Sequence, residues 1–577
     1  MIVELLSVPA IILILGAFLL PLIPERIRSS AFILFPLIAL GVLWTLPEGS
    51  LVQLPFASYE LHLLTVDALS RIFGTIFVMI AIIGGIYAFH IKDLGQQTSA
   101  LAYAGGALGV TFAGDFFSLF FFWEIMAAAS TWLIWARQTE ASDKAGMRYV
   151  LVHIFGGGLF MTGILLHLNG GGSFLIESLE QTYTVANVFM LLGVGLNSAI
   201  PPLHAWLADA YPKATITGAV FMSAFTTKSA VYVLIRLFPG WDILIYWGVA
   251  MALYGVVYAV LVNDIREILA YHIVSQVGYM VAGVGIGTEM AINGTTAHAF
   301  SHILYKSLLF MGAGAVIYAT GKSKLTELGG FAKKMPVVVG LYMIGAFSIS
   351  GFPFFNGFIS KSMVVSAAGA AHLPTIMLLL ILASVGTFLH TGLKLPYFTW
   401  FGEKKSDFSV SDVPLNMKIA MGMGAFFCTL FGVYPALLYN YLPYAVDYTP
   451  YTIYHFVEMM QILVFTFVGF WLLRKKLEGS PHIAIDTDWF YRRPADAVQY
   501  AFVELPNRFY GFVEQRSLKI AGGLSRFSKN PLQLLPFGSS NPDGKKEIKS
   551  DDFSASIGAA LAFILFGFIV ASLVVLL

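Results

Sequence analysis

His298, His302 and Lys306 lie at i, i+4 and i+8 within one long apolar run. At about 100° per residue they share one helix face. A His-His-Lys stripe suits a proton relay, since histidine titrates near pH ~6.5 and a buried lysine can surrender its proton. The bland alternative is a pair of packing histidines held by hydrogen bonds. A metal or haem site needs further ligands, and no cysteine or acidic cluster supplies them. Glu124 is the only carboxylate in 116–137, FFSLFFFWEIMAAASTWLIWAR. Burial and a neighbouring lysine act on a carboxyl in opposite senses, which suits Glu124 to proton exchange. Its alternative is a salt bridge that locks two helices. Lys228, in SAFTTKSAVYVLIR, is either a second proton carrier or the static partner of Glu124. Lys361, in GFPFFNGFISKSM, sits too deep in its span to snorkel comfortably. His153, His204, His390 and Lys394 are weaker relay candidates. His153 is placed to bridge Glu124 to the interior. His204 follows Pro202, where a cap or turn contact is the alternative. His390 and Lys394 share a face, and Lys394 alternatively marks a helix end. No phosphate loop, dinucleotide fingerprint, nucleophile elbow or zinc signature is present.

The elements that must position these groups follow from composition. The chain has 577 residues, 58% hydrophobic and 12% charged. Soluble globular proteins carry about 25% charged residues. A soluble enzyme, a disordered chain and a nucleic-acid binder are excluded, and the net charge of +1 adds no polyanion affinity. The single cysteine, Cys428, excludes a disulfide framework and an iron–sulfur cluster. What remains is an all-α polytopic membrane protein, because only helices and closed barrels satisfy their backbone in lipid. There a charge near the bilayer centre costs about 2.5–3.5 kcal/mol, so each one is a functional candidate.

About sixteen stretches are long and apolar enough to span. They lie near 4–23, 30–48, 67–90, 98–113, 116–136, 146–168, 185–210, 214–238, 243–262, 266–287, 290–319, 336–368, 373–401, 415–440, 453–473 and 554–577. The first, closely joined to a second, reads as a retained span rather than a cleaved signal peptide. Loops 49–66, 169–184 and 440–452 carry no Lys or Arg, whereas the alternate loops carry Arg26, Arg28, Arg137, Lys144, Arg148, Lys213, Lys333 and Lys334. The positive-inside rule then puts the N-terminus outside and 474–552 in the cytoplasm. Pro201 and Pro202 interrupt the seventh span, and Gly351 and Pro353 the twelfth. Such breaks survive only where protein or a wet cavity covers them, and two of them five spans apart point to repeated halves. The organisation read from this is 1–66, N-terminal helices; 67–401, a translocation core; 402–473, further helices; 474–552, a cytoplasmic amphipathic segment and linker; and 553–577, a final tethered span. An amphipathic helix is expected over 494–528, broken at Pro506.

Together these features resemble the antiporter-like membrane subunits shared by respiratory complex I and Mrp-type multisubunit Na+/H+ antiporters. The matching runs include VDALSRIF at 66–73, FFWEIMAAASTWLIW at 121–135, PPLHAWLADAYP at 201–212, TTKSAVYVLIR at 226–236, NDIREILAYHIVSQVGYM at 263–280, HAFSHILYKSLLFMGAGAV at 298–316, LTELGGFAKKMP at 325–336 and GFPFFNGFISKSM at 351–363. DTDWFYRR at 486–493 looks like a signature of the D branch of the Mrp subunits. The resemblance implies inverted repeats with discontinuous seventh and twelfth helices. It implies ion-translocation roles for Glu124, Lys228, His298, His302 and Lys361, with Lys306 on the same path. It also implies partners that are integral membrane subunits, transport of H+ with Na+ or K+ left open, no bound cofactor or metal, no nucleic acid, and a prokaryotic cytoplasmic membrane. One departure stands out. The family usually has a lysine at the end of the first half of the seventh helix, where this chain has Asn197. Lys213 is too far along the chain to replace it. Three readings stay open: Lys228 pairs directly with Glu124, the inlet is altered, or the conduit is closed and the chain is a scaffold. The resemblance equally admits a proton-pumping subunit of a redox complex, or a partner in proton-coupled inorganic-carbon uptake.

Overall fold

The computed structural model describes residues 2–56, 59–403, 407–479 and 485–529. The linker expected at 537–552 and the last expected span, 554–577, lie outside the described residues. The described residues divide into two compact units, one ending at Tyr491 and the other beginning at Arg492.

The first unit is a helical bundle. Among the described residues, eleven helices are long and apolar enough to cross a membrane. Shorter apolar helices run over Pro9–Leu22, Val185–Asn197 and Pro336–Ser350. Burial grades inward. The most apolar windows of Ile216–Leu237 and Ile265–Ile286 are 100% buried and that of Glu289–Thr320 is 83% buried, against 17% for Ile453–Leu473. Lys228, His298, His302 and Lys306 therefore lie on helices surrounded by protein rather than lipid, where partners can offset their insertion cost.

Four local features differ from the expected string. The 49–66 loop is a β-hairpin, Gly49–Phe56 paired antiparallel with Tyr59–Val66. Alternation in YELHLLTV favours a strand with one covered face. The hairpin is anchored at Asp115, whose carboxylate accepts from His62 N (2.7 Å) and caps the next helix through Phe117 N (2.9 Å) and Ser118 N (2.8 Å). The eighth span is two helices, Ile216–Ala224 and Thr226–Leu237, joined at Phe225. The thirteenth widens into π-helical turns over Phe388–Lys394 and Tyr397–Phe401. The fourteenth ends at Val433 ahead of Pro435, whose ring and missing N–H stop the ladder.

Beyond residue 491 the described chain is helical through Lys529. The break expected at Pro506 does not occur. A π-helical turn over Tyr500–Glu504 runs directly into the helix Leu505–Lys529, and this widened turn, immediately ahead of Pro506, accommodates the proline so that the chain stays helical. The helix and the turn before it leave Phe502, Phe509, Phe512, Leu518 and Ile520 exposed, as an amphipathic segment would.

Candidate functional site

Both expected breaks are present, and they are built alike. The helix Val185–Asn197 ends in Ala199 at φ +61°, and the helix Pro336–Ser350 ends in Gly351 at φ +74°. Three backbone hydrogen bonds match when Ala199 is laid on Gly351. Ala199 N donates to Leu196 O (3.0 Å) and Gly351 N to Ser348 O (3.1 Å). Ile200 N donates to Gly195 O (3.0 Å) and Phe352 N to Phe347 O (3.0 Å). Leu203 N donates to Ile200 O (2.8 Å) and Phe355 N to Phe352 O (3.3 Å). These are helix C-caps of the left-handed type. A proline follows two residues later in each, Pro201 and Pro353, and a second half-helix resumes. The same register sets Asn197 opposite Ile349, His204 opposite Asn356, Ala205 opposite Gly357 and Asp209 opposite Lys361.

A broken helix leaves carbonyls that need donors. Lys361 Nζ donates to Ile349 O at 2.7 Å and lies 3.3 Å from Ser384 Oγ. Lys228 does the same at the Phe225 joint. Thr226 N bonds the Tyr103 hydroxyl (3.1 Å) instead of continuing the ladder, and Lys228 Nζ takes Ser223 O (2.5 Å) and Thr227 Oγ1 (3.1 Å). Insertion of a side chain into the ladder explains an interruption that neither proline nor glycine marks. Lys394 Nζ donates to Val260 O (2.6 Å), at the end of Asp242–Leu261. Each of these lysines thus sits at a carbonyl-rich helix end, where the dipole favours a cation.

Between them runs a row of buried polar groups. Ser223 Oγ, beside Lys228, lies 3.5 Å from Ser307 Oγ, next in sequence to Lys306. The rings of His302 and Tyr305 are 5.2 Å apart, and those of His298 and His302 are 6.3 Å apart. His298 Nδ1 is 3.2 Å from Ser360 Oγ, beside Lys361. Both ring nitrogens of His302, His298 Nε2 and Lys306 Nζ have no hydrogen-bond partner among the described residues. They are uncommitted, as exchangeable sites must be. The ring of His390 is 5.6 Å from that of His272, whose helix meets the row where Tyr305 OH donates to Gln276 Oε1 at 3.4 Å. His272 is a member that the sequence reading missed. It lies inside NDIREILAYHIVSQVGYM at the turn-spacing of ordinary core positions, and only packing brings it to the axis. Among the described residues no cluster of three His, Cys, Asp or Glu side chains is placed to hold a metal.

The family described as NADH:quinone oxidoreductase/Mrp antiporter, transmembrane region, matches residues 113–387. An uncharacterized protein of Methanocaldococcus jannaschii is 31% identical over 58% of this chain and 73% of its own length. The chain belongs to the antiporter-like membrane subunit family shared by Mrp-type antiporters and respiratory complex I. The D-type subunit of the Na(+)/H(+) antiporter of Alkalihalophilus pseudofirmus is 32% identical over 52% of this chain and 66% of its own length. A chain of the membrane-bound sulfane sulfur reductase, an archaeal respiratory membrane complex, shares the fold with TM-score 0.68 and 23% identity. That match covers 98% of this chain and 100% of the other.

The first half of this antiporter-like protein is less closely wired than the second. Glu124 is half-buried, and its Oε1 has no hydrogen-bond partner among the described residues. Its carboxylate rests against Gly157 of the helix Glu140–Asn169, where a Cβ would overlap it. No ion pair joins Glu124 to Lys228, so the static-pair reading of those two does not describe this structure. His153 stacks on Tyr149 at 3.9 Å and bonds Tyr149 O (2.8 Å). Tyr149 in turn reaches Ser130 (2.9 Å) and Thr226 (3.4 Å), two residues before Lys228. Asn197 is fully buried with both side-chain polar atoms unpartnered among the described residues, and the nearby carbonyl of Leu196 is capped by Trp206 Nε1 at 3.0 Å.

A second residue missed in the sequence is Asp486, in the DTDWF run that follows the helix Ile453–Leu473. Its side chain is 4% exposed and lies 3.2 Å from Nε2 of His204, which is 0% exposed. Tyr254 and Tyr271 also donate to it. Burial alone would raise this carboxyl, but His204 and the two tyrosines hold it well below the usual carboxylate range. Its contribution to stability is therefore in place above a pH of about 3.9 and is lost as pH falls below that. The signal in the sequence was an acidic residue in a run otherwise read only as a family signature.

Proposed function

We propose that this chain is a proton-translocating subunit of a multisubunit cation/proton antiporter in a prokaryotic cytoplasmic membrane. The Lys- and Arg-rich helix ends and 474–552 then face the cytoplasm. The observation that carries this reading is the row Lys228, Ser223, Ser307, Lys306, His302, His298, Ser360 and Lys361, buried in the interior helices with several of its nitrogens uncommitted. Chains of ionisable groups at membrane depth are expensive and mark ion pathways. The DTDWFYRR run and the resemblance to a D-type antiporter protein support the Mrp side of the family. Protonation of Glu124 changes the field along Tyr149 and Thr226 toward Lys228, whose hold on Ser223 O is the first element able to rearrange. Each later step is a coupling between neighbouring titrating groups.

Dissipation of ΔpH in everted vesicles that carry the full native gene cluster tests this. Activity that needs added Na+ or K+ and disappears in Glu124→Gln supports the antiporter. Wild-type flux in that variant overturns the assignment and favours a scaffold. A second reading, a proton-pumping subunit of a redox complex, is favoured by the shared fold with an archaeal respiratory complex over 98% of the chain. Proton movement that starts only with an electron donor would select it.

A further inference from the structure

The second break carries a cation, Lys361, on a carbonyl freed by the helix end. The register match puts Asp209 at the equivalent place in the first break, and Asp209 is already held by Arg148 at 2.7 and 3.0 Å. Asn197 brings no charge. The first break nevertheless has one imidazole within it, the buried ring of His204, and the chain delivers a carboxylate to that ring from outside the core.

Asp486 arrives on the short segment after the helix Ile453–Leu473. That segment is tied down on both sides. Tyr258 OH donates to Ile485 O (3.0 Å), and Thr487 Oγ1 donates to Pro202 O (2.9 Å), inside the break itself. The carboxylate then accepts from Tyr254 OH (2.5 Å) and Thr487 N (2.5 Å) on Oδ1, and from Tyr271 OH (2.6 Å) on Oδ2. Two hydroxyls and a backbone N–H directed at its oxygens favour the ionised form. An ionised carboxylate this deeply covered calls for a cation. No Lys or Arg among the described residues pairs with it, and the ring facing Oδ2 is His204. Neither nitrogen of that ring makes a hydrogen bond among the described residues: Nε2 meets Asp486 Oδ2 at ion-pair distance, 3.2 Å, and Nδ1 has no partner.

We infer that Asp486 is a positioning residue that makes His204 the proton-carrying cation of the first break, the counterpart of Lys361 in the second. The inference rests on the proton-translocation reading above. Its chemistry is proton transfer alone: His204 gains a proton at an imidazole nitrogen and later gives it up, and Asp486 stays ionised throughout. The arrangement tolerates both states. Protonated His204 is neutralised by Asp486, and when the proton leaves, two tyrosine hydroxyls and Thr487 N still satisfy the carboxylate. The other ionisable groups around the pair are Tyr254 and Tyr258 on Asp242–Leu261, Tyr271 and Glu267 on Ile265–Ile286, the Asp209–Arg148 pair one turn further along the half-helix, and Asp488 in the same segment.

The test is the pH profile of ΔpH dissipation in everted vesicles with the full gene cluster, for wild type, Asp486→Asn, His204→Asn and the double variant. Asn at 486 keeps an acceptor for the tyrosines but removes the charge. Complex abundance on native gels separates assembly from transport. D486N is expected to assemble, to lose about tenfold in flux or more, and to shift its remaining profile about one pH unit to the acid side. The double variant is expected to be no worse than H204N alone. A D486N profile superimposable on wild type, or losses that multiply in the double variant, would overturn the inference. If D486N does not accumulate, Asp486→Glu takes its place: a retained charge should keep the wild-type profile, and an acid shift there counts against the pairing. Glu124→Gln runs in parallel. Wild-type flux in that control overturns the translocation reading itself, whatever residue 486 does.

Discussion

The two breaks share a backbone and differ in how they satisfy it. At the second, the chain caps its own carbonyl with a lysine from the following half-helix, so the charge is local. At the first, the equivalent half-helix supplies Trp206, a neutral donor, and the charge comes from Asp486 at the far end of the body. A common scaffold has therefore been given a self-contained cation in one half and a two-part ion pair in the other. Helix termini create the need for donors, but they do not dictate whether the donor is charged.

The largest effect that would break this comparison is at Lys361. Lys361→Met leaves Ile349 O uncapped and the row without its end. Flux is expected to fall by about 100-fold or more, the scale of a lost proton-transfer group. Trp206→Phe at the first break removes only a neutral cap and should cost less than about tenfold. Comparable losses from both would mean that the charge at the second break is not what matters there, as read from initial rates at matched complex abundance.

Next comes the close approach of helix to helix. A Cβ on Gly357 would overlap the carbonyl of Ser348 across the break, whereas its counterpart in the first break is already an alanine, Ala205. Gly357→Ala is expected to destabilise by about 1–3 kcal/mol, as overpacking does, and Ala205→Gly by about 1 kcal/mol or less. Thermal loss of the assembled complex measures both. Gly157→Ala tests the same principle at the inlet, where the added methyl must displace the Glu124 carboxylate. Flux should drop several-fold while assembly holds, and unchanged flux would separate that carboxylate's position from its function.

The smallest effect concerns the caps themselves. Ala199 occupies a left-handed conformation that Gly351 adopts freely. Ala199→Gly should stabilise by about 1 kcal/mol and Gly351→Ala should destabilise by about as much. If the two changes do not have opposite signs, the caps are not equivalent.

Much of this was legible beforehand. The spans followed from hydropathy, the breaks from Pro201, Pro202, Gly351 and Pro353, and the His298–His302–Lys306 stripe from a period of four. These are local signals. The split at Phe225 left no mark, because it arises from a lysine side chain and the Tyr103 hydroxyl competing for backbone groups. His272 and Asp486 were hidden for a related reason: their roles depend on partners brought together only by packing. The π-helical turns that carry His390 and Lys394 were also invisible, since a one-residue widening does not disturb the apolar pattern. The hairpin at 49–66 was missed because a short alternating run at a membrane edge reads equally well as loop.

The tie between Thr487 and Pro202 spans 285 residues, and this has a consequence for biogenesis. Translation proceeds at about 5–20 residues per second, so the first break waits roughly 15–60 s after its own synthesis for the segment that closes it. The second half, with its lysine already in place, can be complete earlier. A ribosome that stops short of residue 486 would release a bundle with one finished half and one unfinished half. The proton pathway is thus completed by the last part of the body to be made, so a nascent chain in the membrane does not acquire a working route for protons before its body is whole.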